Sequence, residues 1–328
     1  MTEQPLLIVH NLTTAFRIHG ALFPAVRKID LHLDRNETLA LVGESGSGKS
    51  ITALSIMRLI PKPPGEIISG QVLLKGTDLL SLPEKKMRGI RGNQISMIFQ
   101  EPMTSLNPVL TVGLQIVEAL IYHQNISKRE AKNKTIEIMN QVKIPSAERR
   151  FNDYPHQFSG GMRQRVMIAI ALSCRPEIIL ADEPTTALDV TIQAQILFLL
   201  AELKQTREMG MIFITHNLGI VASIADRVAV MYGGEIMEIA PVDVLFAQPQ
   251  HPYTEMLLHS VPRLDRAIES LSYIPGQVPS IDRMPPGCRF ASRCSLRMDR
   301  CDRQDPDLVP LPHHKDHWVR CWVRGQAV

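Results

Sequence analysis

The sequence has no apolar run of the roughly 18–20 residues that a bilayer-spanning helix needs. Its first residues carry Glu3 and only the short apolar run Leu6-Leu7-Ile8-Val9, not a basic stretch followed by a longer apolar one. No secretion signal is therefore expected; the chain is expected to stay in the cytosol and to meet a membrane only through partners. Strong charge of one sign is also missing: the net charge is +3 over 328 residues. That gives no basic face for nucleic acid, which is not expected as a partner. There is no internal repeat, low-complexity tract or heptad run, which argues against a solenoid or coiled coil. Cysteine is scarce, and four of the five cysteines lie in the tail, at Cys288, Cys294, Cys301 and Cys321.

What is present is an ordinary globular composition, 45 % hydrophobic and 21 % charged. The length suits one large domain with an appendage, or two domains. Twelve prolines fall in residues 1–240 and eleven in the last 88, which marks a boundary near Pro241. Before it, apolar runs of strand length such as 178–181 and 211–214 alternate with helix-like segments, the pattern of a parallel sheet buried on both faces. Residues 1–41 and 67–80 alternate as half-exposed strands do, predicting a small antiparallel sheet. Between about 101 and 158 the strand signal disappears. There Ser127-Lys128-Arg129-Glu130 reads as a capping box opening a helix through roughly Val142.

The run Gly43-Glu44-Ser45-Gly46-Ser47-Gly48-Lys49-Ser50 fits G-x-x-x-x-G-K-[ST] in full and follows the apolar run Leu39-Ala40-Leu41-Val42. A triphosphate needs several backbone N–H groups aimed at one point, which calls for glycines and a helix N-terminus directly after them. Lys49 would reach the β- and γ-phosphates and the Ser50 hydroxyl would ligate Mg²⁺. A bland glycine-rich turn is a poor rival to an eight-residue pattern in a strand–loop–helix context.

A second apolar run, Ile178-Ile179-Leu180-Ala181, ends in Asp182-Glu183. One carboxylate can hold Mg²⁺ while its neighbour takes a proton from the water attacking the γ-phosphate, so Asp182 is assigned to metal and Glu183 to general base. Acids capping the next helix are the bland reading, which the phosphate loop upstream disfavours. His216 follows a third buried run, as a group polarising a γ-phosphate would. Phe158-Ser159-Gly160-Gly161-Met162 opens an amphipathic helix with Met162, Val166, Met167 and Ile170 on one side. It forms a second anion site, which the first loop's nucleotide does not need, and so implies a second ATP-binding subunit.

The order phosphate loop, Gln100, Ser159-Gly160-Gly161, Asp182-Glu183, Ala187-Leu188-Asp189, His216 resembles the ATP-binding cassette family over about residues 5–260. The resemblance implies an α/β P-loop NTPase cassette with a mixed core sheet, a small antiparallel β subdomain, a helical subdomain at about 101–158, and a cysteine-containing extension at 261–328. ATP and Mg²⁺ are the implied ligands, with residues 43–50 and Ile51 at the nucleotide, and Ser50, Gln100 and Asp182 at the metal. Gln100 matches the glutamine that also signals to membrane subunits. Ser159, Gly160, Gly161 and Met162 match the signature that closes over the opposite subunit's ATP, with Met162 replacing the usual glutamine and Phe158 the leucine. Asp189 matches an interface aspartate and His216 the switch histidine. Phe16 is the candidate to stack on adenine, and equally a core residue of the small sheet.

The wording Gln100-Glu101-Pro102-Met103-Thr104-Ser105-Leu106-Asn107-Pro108, with His251-Pro252-Tyr253-Thr254 and Ile274-Pro275-Gly276, is similar to the oligopeptide, dipeptide and nickel importers. That branch implies two permease subunits, a second cassette that is a homologue rather than an identical chain, an extracytoplasmic solute-binding protein, and a place on the cytoplasmic face of the inner membrane. Peptide is the expected solute, with nickel or another small solute as the alternative. A relative acting on nucleic acid would show a coiled coil, tandem cassettes or a basic face, and a degenerate cassette would lack Glu183 or His216.

The tail thiols are spaced C-x5-C-x6-C-x19-C, unlike the paired C-x2-C of a zinc ribbon. Stable disulfides are disfavoured in a cytosolic protein, so the thiols read as metal ligands. Some members of the resembling branch hold a 4Fe-4S iron–sulfur cluster there, which is the expectation, with Zn²⁺ or unligated thiols as alternatives. Such a site would tie down an extension with no large core of its own. Cys174 stands apart and reads as a small buried apolar residue.

Overall fold

The computed structural model describes residues 4–260, 276–312 and 314–325. Residues 261–275, which hold the expected start of the extension together with Ile274 and Pro275, lie outside them. The strands are, in chain order, β1 (Leu7–Ile18), β2 (Ala21–Leu33), β3 (Thr38–Val42), β4 (Gly65–Leu74), β5 (Thr77–Asp78), β6 (Ile95–Ile98), β7 (Ile178–Asp182), β8 (Gly210–Thr215), β9 (Arg227–Tyr232), β10 (Glu235–Pro241), β11 (Val309–Leu311) and β12 (His314–Val319). The chain forms two compact units, one from residues 1–80 with 214–328 and one from 81–213.

In the first unit β2-β1-β4-β5 make an antiparallel sheet, as the alternating pattern predicts. Residues 38–41 do not join it. They lie in β3, where every residue is buried, and a strand buried on both faces cannot show the alternation of a half-exposed one. β3 pairs parallel with β9, β9 antiparallel with β10, and β10 antiparallel with β12, whose other neighbour is β11. This sheet is mixed where its apolar runs alone suggested a parallel one.

The tail packs into this unit. Phe290 is fully buried beside Tyr232 and Tyr253, with ring centroids 5.1 Å and 5.2 Å away, and Cys288 and Cys301 share the same core as Val42, Val228 and Val230. Aromatic pairs of this kind add about 0.5–1.5 kcal/mol each beyond their area. The tail therefore draws on the unit's core and does not rely on thiol ligation alone for its apolar contacts.

In the second unit β8, β7 and β6 lie in that order, with β6 and β7 parallel. The segment 101–158 is helical, as expected. Thr111 caps the helix Val112–Gln124, which ends where Asn125 turns left-handed at φ +50°. Ser127 accepts from the Glu130 N–H to open Lys128–Gln141, one residue short of the expected end. The helix Gly160–Leu172 differs from the one-sided stripe that was expected. Gln164, Arg165 and Ile168 are buried along with Val166 and Met167, because the helix is surrounded by β6 and by the helices at 102–105, 112–124, 128–141 and 190–207. The buried Arg165 is satisfied by Val142 O at 2.9 Å and Gln195 Oε1 at 3.0 Å. Cys174 is buried, as its sequence context suggests. Among the described residues no helix is long and apolar enough to cross a membrane.

Candidate functional site

The loop that follows β3 is shaped by what its backbone must avoid. Gly43 has φ +150°, and a Cβ there would stand 2.2 Å from Met231 O, so no other residue fits. The loop is pinned to the β9–β10 turn by the Gly234 N–H, which donates to Ser47 O at 2.9 Å. The helix Lys49–Ile56 begins directly after Gly48, and no side chain caps its N-terminus. Its first N–H groups and its dipole are the anion-binding feature of such a turn.

Lys49 is buried and curls back over the loop, donating to Gly43 O at 2.8 Å and Glu44 O at 2.9 Å, and lies 3.4 Å from Ser47 Oγ. Ser45 and Gly46 are exposed at the tip, while Ser50 and Ile51 are half-buried on the first turn. Phe16 is half-buried on β1 opposite Gly65, whose Cβ position lies 3.0 Å from the ring. It is not a core residue of the small sheet. His216 is exposed just after β8, and the next residue, Asn217, caps the helix Leu218–Ile224.

In the second unit Asp182 ends β7 and is buried. Glu183 follows with φ +45°, a left-handed conformation that costs a non-glycine residue energy and turns its side chain away from the strand's alternation. Its Oε2 accepts from Gln100 Nε2 at 3.1 Å and from Thr186 Oγ1 at 2.8 Å. Gln100 and Glu183, read separately in the sequence, are thus one hydrogen-bonded pair; Thr186 was missed, though a hydroxyl three residues after the acid was a usable signal.

Ser159 caps the helix Gly160–Leu172, accepting from the Met162 N–H at 3.4 Å, and Met162 is half-buried. Gly161 packs on Ile192: a Cβ there would meet Ile192 Cγ2 at 2.6 Å. Asp189 caps the helix Val190–Arg207 by accepting from the Ile192 N–H at 2.9 Å, so signature and aspartate meet through Ile192.

In the tail, Cys288 and Cys301 are buried and Cys294 and Cys321 half-buried. The Cys288 N–H donates to Cys301 O at 2.8 Å. Burial pushes the Cys288 thiol up to about 12, and the Phe290 N–H partly offsets this while the thiols of Cys301, Cys294 and Cys321 add to it. Burial raises Cys294 as well, with Cys321 and Cys301 among its neighbours. The four thiols thus share one neighbourhood. Among the described residues, however, no three Cys, His, Asp or Glu side chains form a group that could hold a metal ion as placed. Sequence reasoning also missed Arg293, which reaches Glu44 of the phosphate loop.

Residues 26–186 match the family model for the ABC transporter, and residues 237–301 match that for the oligopeptide/dipeptide transporter C-terminal region. The chain is 54 % identical to the oligopeptide transport ATP-binding protein AppD of Bacillus subtilis, over 97 % of this chain and 96 % of that one. It is 51 % identical to the dipeptide transport ATP-binding protein DppD of the same organism, over 98 % and 96 %. Among solved structures it resembles the dimeric MJ0796, a bacterial ABC transporter cassette, at TM-score 0.64 and 28 % identity, covering 72 % of this chain and 98 % of that one. The same cassette bound to ADP and Pi matches with TM-score 0.64 and 27 % identity, over 72 % and 98 %. A near-full-length likeness at half identity leaves no room for convergence on a shared loop, and the chain belongs to the ABC transporter family.

Proposed function

We propose that this chain is the ATP-hydrolysing subunit of a membrane importer that takes up di- and oligopeptides through partner permeases. The observation that carries the reading is the near-full-length identity to AppD and DppD, whose names give oligopeptide and dipeptide transport. The loop at 43–50 holds the triphosphate, where Lys49 exchanges its two carbonyl partners for phosphate oxygens, and Ile51 lies beside it on the first helical turn. Ser50, Gln100 and Asp182 would hold Mg²⁺, which when bound neutralises the phosphate oxygens. Glu183 takes the proton of the attacking water, with Gln100 and Thr186 orienting its carboxylate. His216 steadies the γ-phosphate, and Phe16 stacks on the adenine.

The signature residues Ser159, Gly160, Gly161 and Met162 act on ATP held by a second cassette, with Asp189 at the interface. The dimeric MJ0796 structures support that arrangement. The partner cassette is a homologue, two permeases carry the solute, and an extracytoplasmic binding protein delivers it. The chain sits on the cytoplasmic face of the inner membrane. Val109, Leu114 and Tyr122 of the helical segment are 75 %, 49 % and 64 % exposed, an apolar surface suited to permease helices. Domain limits of 1–260 and 261–328 describe the cassette and its extension.

The finer reading of the tail is a 4Fe-4S cluster on Cys288, Cys294, Cys301 and Cys321, supported by the shared neighbourhood of the four thiols and by the Cys288–Cys301 backbone contact. The cluster would cross-link the segments bearing them. Iron and acid-labile sulfide in anaerobically purified protein test it, and stoichiometric zinc overturns it.

Reconstituting the two cassettes and two permeases in vesicles tests the main reading. ATP-dependent uptake of a labelled dipeptide or oligopeptide is expected. Uptake of nickel without peptide overturns it.

A further inference from the structure

Glu44, the second residue of the phosphate loop, is gripped by two residues 209 and 249 positions further along the chain. Its backbone N–H donates to Tyr253 Oη at 2.9 Å, and its carboxylate Oε2 accepts from Arg293 Nη1 at 3.0 Å. Its carbonyl holds Lys49 at 2.9 Å. One residue therefore links the catalytic lysine to the C-terminal region through all three of its polar groups.

Both anchors are themselves fixed. Tyr253 is fully buried, with its ring 4.8 Å from Tyr232 and 5.2 Å from Phe290. The Arg293 side chain is only 6 % exposed; it also donates to Tyr232 Oη at 3.4 Å and to Gly276 O at 3.4 Å, and lies 5.6 Å over the Tyr232 ring. A guanidinium held this tightly on a half-buried carboxylate is a preorganised contact and not a fluctuating surface pair. Its chemistry matters because the loop receives a polyanion. An uncompensated carboxylate on the loop would repel a triphosphate, and Arg293 cancels that charge.

We propose that Arg293 and Tyr253 are positioning residues that set the phosphate loop through Glu44, so that the C-terminal region tunes the affinity for the nucleoside triphosphate. The inference rests on residues 43–50 being the ATP loop. The test uses the full-length chain for displacement of a fluorescent ATP analogue by ATP, and the assembled transporter for turnover.

Arg293→Gln is expected to raise the Kd and KM for ATP about tenfold, the scale of one charge-assisted hydrogen bond, with kcat changed less than about twofold. Arg293→Lys keeps the charge and recovers most of the loss. Glu44→Gln added to Arg293→Gln removes the repelling carboxylate and restores KM to within about threefold of the parent, a coupling that a purely structural role does not produce. Tyr253→Phe keeps the ring and deletes only the acceptor, so it serves if Arg293→Gln fails to fold, and it is expected to raise KM about threefold. Unchanged Kd and KM in Arg293→Gln, or equal impairment of the single and double variants, overturns the proposal. For Tyr253→Phe, an unchanged KM overturns it. Lys49→Ala separates the two levels: if it binds ATP as the parent does, it is the reading of the loop that fails.

Discussion

Gln100 and Thr186 donate to one and the same oxygen of Glu183, at 3.1 Å and 2.8 Å, while the Glu183 backbone sits at φ +45°. Two donors on one oxygen hold the carboxylate in a single orientation. The strained dihedral is retained where side-chain aim matters more than backbone comfort.

Glu183→Gln preserves the shape and removes the carboxylate proposed as proton acceptor. ATP turnover by the assembled complex is expected to fall about a hundredfold or more, with ATP still bound. Unchanged turnover removes Glu183 from the role of base.

Gly161→Ala places a methyl 2.6 Å from Cγ2 of Ile192, a methyl fixed directly to the branched Cβ and so with no flexible end to move aside. The cost is expected to be about 1–3 kcal/mol in urea denaturation, and Ile192→Ala in the same chain should recover part of it. An additive double variant would sever the link drawn between the signature turn and the helix that Asp189 caps.

His251 caps the helix Pro252–His259 through Nδ1, which accepts from the Tyr253 N–H at 3.0 Å, so it is held neutral. Burial pushes it down to about 4, against the attraction of Glu238 and with Arg320 adding to the depression. Between about pH 6.5 and 4 the unfolded chain binds a proton that the folded chain refuses. Stability is therefore complete above that window and falls through it by about 3 kcal/mol as the pH drops. Asn can also cap a helix, so chemical denaturation of His251→Asn should show a flatter pH slope across the window than the parent.

Glu235 is fully buried on β10 between Arg27 of β2, with which it pairs, and Arg289 of the tail, whose Nε lies 3.6 Å away; Arg27 also reaches Asp305 at 2.7 Å. Glu235→Ala strands the Arg289 guanidinium and leaves Arg27 with Asp305 alone. It is expected to cost about 3–5 kcal/mol, whereas Asp305→Ala, at a more exposed end, should cost less. Thermal unfolding of the two variants compares them directly.

Motifs whose chemistry is local were legible in the sequence. The loop at 43–50, the acids at 182–183 and the capping serine at 127 declare themselves because their geometry is set within a few residues. Contacts across long separations were not. His251-Pro252-Tyr253-Thr254 could be noticed as wording, but the bond from the Glu44 N–H to the Tyr253 hydroxyl needs tertiary structure. The same holds for the helix at 160–172: periodicity reports the contrast between two faces, and a helix enclosed by five neighbouring elements has little contrast to report. The tail looked poor in core because its own apolar residues are few; Phe290 finds its partners earlier in the chain, Tyr232 on β9 and Tyr253 on the helix Pro252–His259.

The pairing of β12 with β10 sets an order of events during synthesis. β10 ends at Pro241 and β12 begins at His314, so one edge of β10 waits for about 70 residues to emerge before its partner exists. An open strand edge in a nascent chain invites pairing with other chains. A nonsense mutation anywhere between these strands would release a protein that has every nucleotide-binding motif and still exposes that edge, one whose defect is aggregation before it is loss of catalysis.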